Sequence, residues 1–227
     1  LIDQLSNILF VPTSFDFENL KKERLTLNKK IYKVGNTISD ILKENIPLIR
    51  KSNILKHFDL KKKKYFLITL HRPETVDDPR KFYTLLLNFQ KIGKKFKTKF
   101  LFPVHPRTEN IIKKLNLKNL DFVKFVKPLE FLDFLSLMKN SKIIFTDSGG
   151  IQEESSLLGV PCITIRTTTE RQLSIKYKSN ILTGYSYEKI LKAVTYFSNN
   201  KVNSSNIFGD GKVSARIFKI IKNLYKN

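Results

Sequence analysis

From residue 65 onward, apolar runs of strand length alternate with amphipathic stretches. YFLITL (65–70) leads into DPRKFYTLLLNFQKIGKKF, KFLFPV (99–104) into TENIIKKLN, and FVKFV (122–126) into LEFLDFLSLMKNS. KIIFTD (142–147) is followed by IQEESSLLG, CITIR (162–166) by TERQLSIKY, and NILTG (180–184) by SYEKILKAVTYF. Short buried runs separated by helical patterns predict βαβ units and a parallel sheet. Right-handed crossovers would place helices on both of its faces.

The punctuation agrees. Gly159 followed by Pro161 predicts a glycine-capped helix end with a proline stop. Ser186, ahead of apolar residues at 190, 191 and 194, predicts the start of another helix. GDGKVSARIFKIIKNLY reads as a turn feeding a last amphipathic helix. The first part is less regular: LIDQLSNILFVPT suggests a helix entering a strand, and IYKVGNTISDIL a strand, a turn and a helix. We read residues 1–45 as the remnant of an earlier α/β domain and 46–64 as a linker. Residues 65–210 read as a second Rossmann-like domain, and 211–227 as a C-terminal helix.

Composition narrows the function classes. At 227 residues, 41% apolar and 27% charged, the chain can bury a real core. No stretch of about 18 uncharged apolar residues exists, so no membrane span is expected. No signal-peptide pattern opens the chain, and the start at Leu1 suggests a fragment. The single cysteine, Cys162, sits in an apolar run and is expected to be a buried, inert thiol in a reducing, cytoplasmic setting. A net charge of +22 raises the question of nucleic acid. The excess is lysine spread along the whole chain, and no RNP-like aromatic motif, Cys/His finger or basic heptad accompanies it. Dedicated nucleic-acid binding is therefore not expected; an electropositive field favouring an anionic substrate is.

In parallel α/β sheets, ligands bind beyond the C-terminal strand ends. There stand His71-Arg72-Pro73-Glu74, His105-Pro106-Arg107, Ser148-Gly149-Gly150 and the segment from Arg166 to Arg171. Two of the three histidines and four of the eight arginines fall at these positions. Ser148-Gly149-Gly150 has two readings, a plain turn or backbone N–H groups bared at a helix N-terminus for an anion. With His71, His105 and Arg171 nearby, the anion reading is favoured. Glu154 lies one helical turn further on, on a face able to reach ligand hydroxyls; Glu153 reads as solvated or structural. His71, directly after a buried run, suits a phosphate donor or proton-transfer group better than a core histidine. His57 has no assigned role. The histidines are 14 and 34 residues apart with no partner motif, so no metal is expected. Neither GxSxG nor a P-loop occurs.

Taken together, ITLHRPETVDD, FPVHPRT, TDSGGIQEESSLLGVPCITIR and TTERQ resemble the C-terminal part of the non-hydrolysing UDP-N-acetylglucosamine 2-epimerases. The resemblance runs from PTSFDFENL and VGNTISDIL to FGDGKVSARI and so covers almost the whole chain. It implies a two-domain fold of the GT-B type, with 65–210 as the UDP-binding half. It also implies interconversion of UDP-GlcNAc and UDP-ManNAc, the latter serving cell-surface polysaccharide. The C2 proton is removed, UDP is eliminated anti to give a 2-acetamidoglucal, and UDP re-adds. Neither metal nor NAD is needed, and a homodimer is implied.

Carried over by residue, the resemblance implies that Ser148, Gly149 and Gly150 hold the diphosphate. It places Glu154 on the ribose hydroxyls and Phe134 near the uracil. His71 and Arg171 would contact the phosphates, with His71 helping UDP leave and return. Arg72 and His105 would contact a second, regulatory UDP-GlcNAc. Two departures stand out. Where many members have TERPE, this chain has Thr169-Glu170-Arg171-Gln172-Leu173, keeping the arginine and losing the second glutamate. The family's proton-transfer carboxylates lie in the N-terminal domain and have no counterpart here. The alternatives are a hydrolysing or other UDP-amino-sugar 2-epimerase, and a non-catalytic UDP-sugar-binding fragment. A GT-B glycosyltransferase is more distant, and HRPE with TTERQ argues against it.

Overall fold

The computed structural model describes residues 1–115, 117, 120–202 and 206–224. Two compact units emerge, Leu1–Pro47 with Ser205–Asn227, and Leu48–Ser204.

In the first unit, β1 (Ile8–Val11) and β2 (Lys30–Lys33) pair in parallel, Ile8 opposite Lys30 and Val11 opposite Lys33. The helix Ser14–Lys22 between them starts in a capping box. The Thr13 side chain accepts from the Asp16 N–H, and the Asp16 carboxylate accepts from the Thr13 N–H at 3.0 Å. Leu9, Val11 and Leu20 form a small core with Phe17, Leu25 and Ile31 packed on it. The final helix, Val213–Leu224, begins on a carboxylate from elsewhere in the chain. Asp40 accepts from the Val213 N–H at 3.0 Å and the Ser214 N–H at 2.6 Å. Burial alone would raise the Asp40 pKa, but the hydrogen bonds from Ser214 and Val213 outweigh it and hold the carboxyl below its ordinary range. Residues 225–227, read from sequence as part of this helix, lie outside the described residues, as does Asn116 in the TENIIKKLN pattern.

The second unit is a six-stranded parallel sheet. Its strands are β3 (Phe66–Thr69), β4 (Phe100–Pro103), β5 (Val123–Val126), β6 (Ile143–Thr146), β7 (Cys162–Thr164) and β8 (Asn180–Leu182). They lie in the order β5-β4-β3-β6-β7-β8 with every neighbouring pair parallel. This is the doubly wound order, which reverses direction between β3 and β6. The connections leaving those two strands depart to opposite sides and open a crevice beyond their C-terminal ends. β3, β4 and β6 are apolar through most of their length because they are covered on both faces. Phe66, Phe89, Phe100 and Phe145 interlock with ring centroids 4.9 to 5.5 Å apart, and all four are fully buried. Each contributes roughly 1.5–3 kcal/mol by leaving water.

The predicted helix signals take their expected form. Gly159 has φ +67°, and the Val160 N–H reaches back to the Ser155 carbonyl at 2.9 Å, closing the helix Gly149–Leu158 before Pro161. Ser186 caps the helix Tyr187–Asn199 by accepting from the Lys189 N–H. Two segments differ from the sequence reading. Residues 46–64 carry the end of the helix Ile38–Lys51 and the helix Ile54–His57, because Ile49 and Ile54 are buried and Ser52 Oγ donates to Asp133 Oδ1 at 2.6 Å. The TERQLSIKY stretch forms only the short helix Gln172–Lys176, since Thr169 and Gln172 spend their side chains on loop contacts. No helix among the described residues is long and apolar enough to cross a membrane.

Candidate functional site

At the strand-order reversal, β3 delivers His71 and Arg72 while β6 delivers Asp147, Ser148 and the two glycines. Asp147 is fully buried at the end of β6. Its carboxylate accepts from the His71 N–H at 3.1 Å and the Arg72 N–H at 2.9 Å, and Oδ1 lies 3.4 Å from His71 Nδ1. A buried carboxylate needs such partners, because an uncompensated charge in the interior is costly. Asp147 thereby ties the start of the HRPE segment to the SGG turn. Nothing in the sequence reading singled it out; its signal was its place between a strand and a glycine turn.

Ser148 occupies the N-cap position of the helix Gly149–Leu158, yet its side chain makes no capping bond. The first N–H groups of this helix are thus left for another acceptor, at the positive end of the helix dipole. Neither glycine has a positive φ. A β-carbon on Gly149 would meet nothing closer than the Arg171 guanidinium at 3.7 Å, and one on Gly150 only Ser148 Oγ at 3.9 Å. Both distances are ordinary contacts, so the fold itself does not demand glycine at either position.

Arg171 is the cation over this helix end. Its Nε stands 2.5 Å from Glu153 Oε1, an ionic contact off the N–H axis, since the Nε–H itself has no hydrogen-bond partner among the described residues. Glu153, expected to be solvated or structural, is buried and anchors this arginine. A polar network behind it fixes the loop. The Arg171 N–H donates to Thr169 Oγ1 at 3.1 Å, and Thr169 Oγ1 donates to Gln152 Oε1 at 2.7 Å. Asn180 Nδ2 reaches the same Gln152 oxygen at 3.0 Å, and Gln152 Nε2 donates to the Ser148 carbonyl at 3.2 Å. Gln152, Thr169 and Asn180 were invisible as site residues because their partners come from three separate stretches of chain. Gln172, in the altered part of the TERQL stretch, donates to the Thr169 carbonyl at 2.7 Å.

Glu154 follows Glu153 on the partly buried side of the helix. Burial, reinforced by the neighbouring Glu153 charge, pushes its carboxyl up to about 7. Among the described residues no hydrogen bond reaches that carboxyl.

The remaining candidates divide. His105 caps the helix Pro106–Lys114, its Nδ1 accepting from the Arg107 N–H at 3.2 Å, and its ring centroid is 5.2 Å from that of His71. Arg107 is held in a two-point pair with Asp77, at 3.0 and 2.6 Å, and Arg166 in another with Glu170, at 3.1 and 3.2 Å. The Arg72 guanidinium enters no ion pair among the described residues. Phe134 stands apart, half-buried on the helix Phe131–Asn140, with no hydrogen bond, ion pair or ring contact of its side chain to this cluster among the described residues. Cys162 is buried and its thiol is pushed up to about 12 by desolvation. Among the described residues no three His, Cys, Asp or Glu side chains converge as metal ligands.

Comparison with known proteins agrees with this architecture. The family model described as UDP-N-acetylglucosamine 2-epimerase matches residues 1–222. The UDP-N-acetylglucosamine 2-epimerase of Methanocaldococcus jannaschii is 40% identical over 228 residues, covering 97% of this chain and 62% of its own length. Its crystal structure in complex with UDP-GlcNAc and UDP superposes with a TM-score of 0.88 at 39% identity, over 96% of this chain and 61% of that one. The Neisseria meningitidis UDP-GlcNAc 2-epimerase bound to UDP-GlcNAc gives a TM-score of 0.82 at 31% identity, over 99% and 63%. The present chain thus spans about three fifths of the length of these relatives. With a GT-B-type α/β sheet, a bared helix end at its switch point and a family match along almost its whole length, this chain belongs to the UDP-N-acetylglucosamine 2-epimerase family.

Proposed function

We propose that the chain is the UDP-binding part of a non-hydrolysing UDP-N-acetylglucosamine 2-epimerase, which interconverts UDP-GlcNAc and UDP-ManNAc. The observation that carries this reading is a helix N-terminus with two glycines the fold does not require and Arg171 laid beside the first. A diphosphate fits that arrangement, as backbone N–H groups and the Ser148 hydroxyl donate to its oxygens while Arg171 neutralises charge. In the elimination, the C1–O bond breaks as the C2 proton is removed, and negative charge grows on the departing diphosphate. Donors already in place there lower the barrier without rearranging. His71 stands where it can help UDP leave and return. Glu154 takes the ribose hydroxyls and Phe134 packs near the uracil. Arg72, whose guanidinium enters no ion pair among the described residues, and the exposed His105 contact a second, regulatory UDP-GlcNAc.

The proton transfers at C2 belong to carboxylates for which this sequence has no counterpart, so the chain's own share is the nucleotide end of the reaction. The complete protein works as a homodimer in the cytoplasm, where the lone buried Cys162 stays reduced. Calorimetric titration tests the reading. UDP binds this chain, and Arg171→Ala weakens binding by about 1–3 kcal/mol for a lost charge-assisted contact. A chain that ignores UDP, or a variant of unchanged affinity, rules the assignment out. Mixed with UDP-GlcNAc in D₂O, the chain alone exchanges no C2 proton by NMR; exchange would place the acid and base within these 227 residues.

A further inference from the structure

We propose that Asp147 is a positioning residue that sets the tautomer and aim of His71, so that the imidazole offers Nε2 to the nucleotide diphosphate. This rests on the nucleotide-binding reading above and adds to it a residue that touches no ligand. Three contacts converge on one fully buried carboxylate. The backbone N–H groups of His71 and Arg72 donate to it at 3.1 and 2.9 Å, and His71 Nδ1 lies 3.4 Å from Oδ1. The two backbone bonds hold the main chain at the end of β3, and the third contact selects the ring orientation. A carboxylate only accepts hydrogen bonds, so the nitrogen facing it carries the proton. Neutral His71 is then the Nδ1–H form, with Nε2 as its open nitrogen; the protonated ring keeps Nδ1–H on Asp147 and turns an Nε2–H outward.

Charged groups of both signs surround the ring. Asp147 faces it from the end of β6. His105 faces it from the loop after β4, ring centroids 5.2 Å apart, and Arg72 follows it in sequence. From the loop after β7, the Arg166 charge is close enough to feel Asp147. Arg166 is itself held by Glu170 at 3.1 and 3.2 Å and has Glu74 at 3.9 Å, so three carboxylates and two cations share this end of the sheet with the second imidazole. When a diphosphate is bound, His71 aims Nε2 toward the oxygen that departs and returns. His105 is distinguished from His71 by the same logic, because its Nδ1 accepts from the Arg107 N–H and its proton sits on Nε2.

Long-range nitrogen–proton correlation spectra of the three imidazoles in the ligand-free chain test this directly. His71 is expected as the Nδ1–H tautomer when neutral and His105 as Nε2–H; finding His71 as Nε2–H overturns the proposal with no variant required. Asp147→Asn keeps the shape and turns its amide N–H₂ toward Nδ1, which should switch His71 to Nε2–H. UDP affinity should then fall roughly tenfold, the scale of one charge-assisted contact. In a His71→Ala background the same substitution should cost nothing further, since its effect runs through the ring. Equal losses in both backgrounds would make Asp147 a fold element only and overturn the inference. Failure of the wild-type chain to bind UDP counts against the nucleotide-binding reading instead, while the tautomer result still judges the role of Asp147.

Discussion

The guanidinium of Arg171 lies beside the backbone of Gly149, its Cζ 3.7 Å from where a β-carbon on that glycine would stand. The contact leaves room for alanine, and the backbone of Gly149 is ordinary helix rather than left-handed. Gly149→Ala should therefore fold at least as well as the wild type, since alanine restricts the unfolded chain and is the better helix former. A gain of about 0.4–1 kcal/mol is expected in thermal or denaturant unfolding. UDP affinity should nonetheless drop, because the methyl group occupies the approach to the bared N–H groups. Lost stability together with retained UDP affinity would show that the glycine serves the fold and not a ligand.

The Arg171–Glu153 pair is asymmetric, and the two single substitutions should report it. The Arg171 side chain is one-third exposed, whereas that of Glu153 is 7% exposed. Removing the arginine strips a buried carboxylate of its cation, a larger penalty than removing the glutamate beside a cation that water reaches. Arg171→Ala should thus destabilise the chain by about 1–3 kcal/mol more than Glu153→Gln in urea unfolding near neutral pH. For UDP the ranking also favours Arg171, with Glu153→Gln weakening affinity only a few-fold by loosening the arginine. If Glu153→Gln proves the more damaging variant in both assays, the pair is not built as described.

Much of this site could be read from the chain before any coordinates, and the reason is local. His71, His105 and Ser148-Gly149-Gly150 each follow an apolar run within a few residues, so the strand-end rule marks them without knowledge of the fold. Asp147 escaped because its partners, His71 and Arg72, lie 76 and 75 residues away. Glu153 escaped for a related reason. An exposed-looking glutamate in a helix becomes a buried anchor only once the loop after β7 brings Arg171 to it. The six-strand alternation was equally plain, whereas the strand order needed the crossovers. The residues at 46–64 were misleading because lysine runs mask the buried Ile49 and Ile54.

Asp40 makes a prediction for the first unit. Its carboxylate stands in for an N-cap, receiving the Val213 and Ser214 N–H groups of a helix over 170 residues away. Asp40→Ala should raise the hydrogen-exchange rates of the amides at the start of the helix Val213–Leu224. The local loss should be about 1–3 kcal/mol, that of a charged acceptor serving two backbone donors, one of them buried. The pH dependence has a definite sign. The folded pKa is depressed below 3.8, so the contribution is complete above that value and is lost as pH falls through the folded pKa. Protection of these amides that is indifferent to the substitution would mean that the helix is held by its apolar face alone.

Glu154 should show stability and binding pulling in opposite directions. Burial and the adjacent Glu153 raise its carboxyl from 4.5 to about 7 in the folded chain. Between those values the folded protein holds a proton that the unfolded chain has released, so stability falls as pH rises through that window and stays low above it. The loss is of the order of 3.5 kcal/mol, about 2.5 pKa units at about 1.4 each. Glu154→Gln removes the charge and should raise the midpoint of thermal unfolding at pH 8 while changing little at pH 5. The ionised carboxylate is also the better acceptor for two ribose hydroxyls, so the same variant should bind UDP more weakly, by about 1–1.5 kcal/mol. Titrations with UDP and melts at both pH values separate the two effects. A Glu154→Gln chain that binds UDP as well as the wild type would remove the ribose from this carboxylate, and one no more stable at pH 8 would mean that its burial carries no charge penalty.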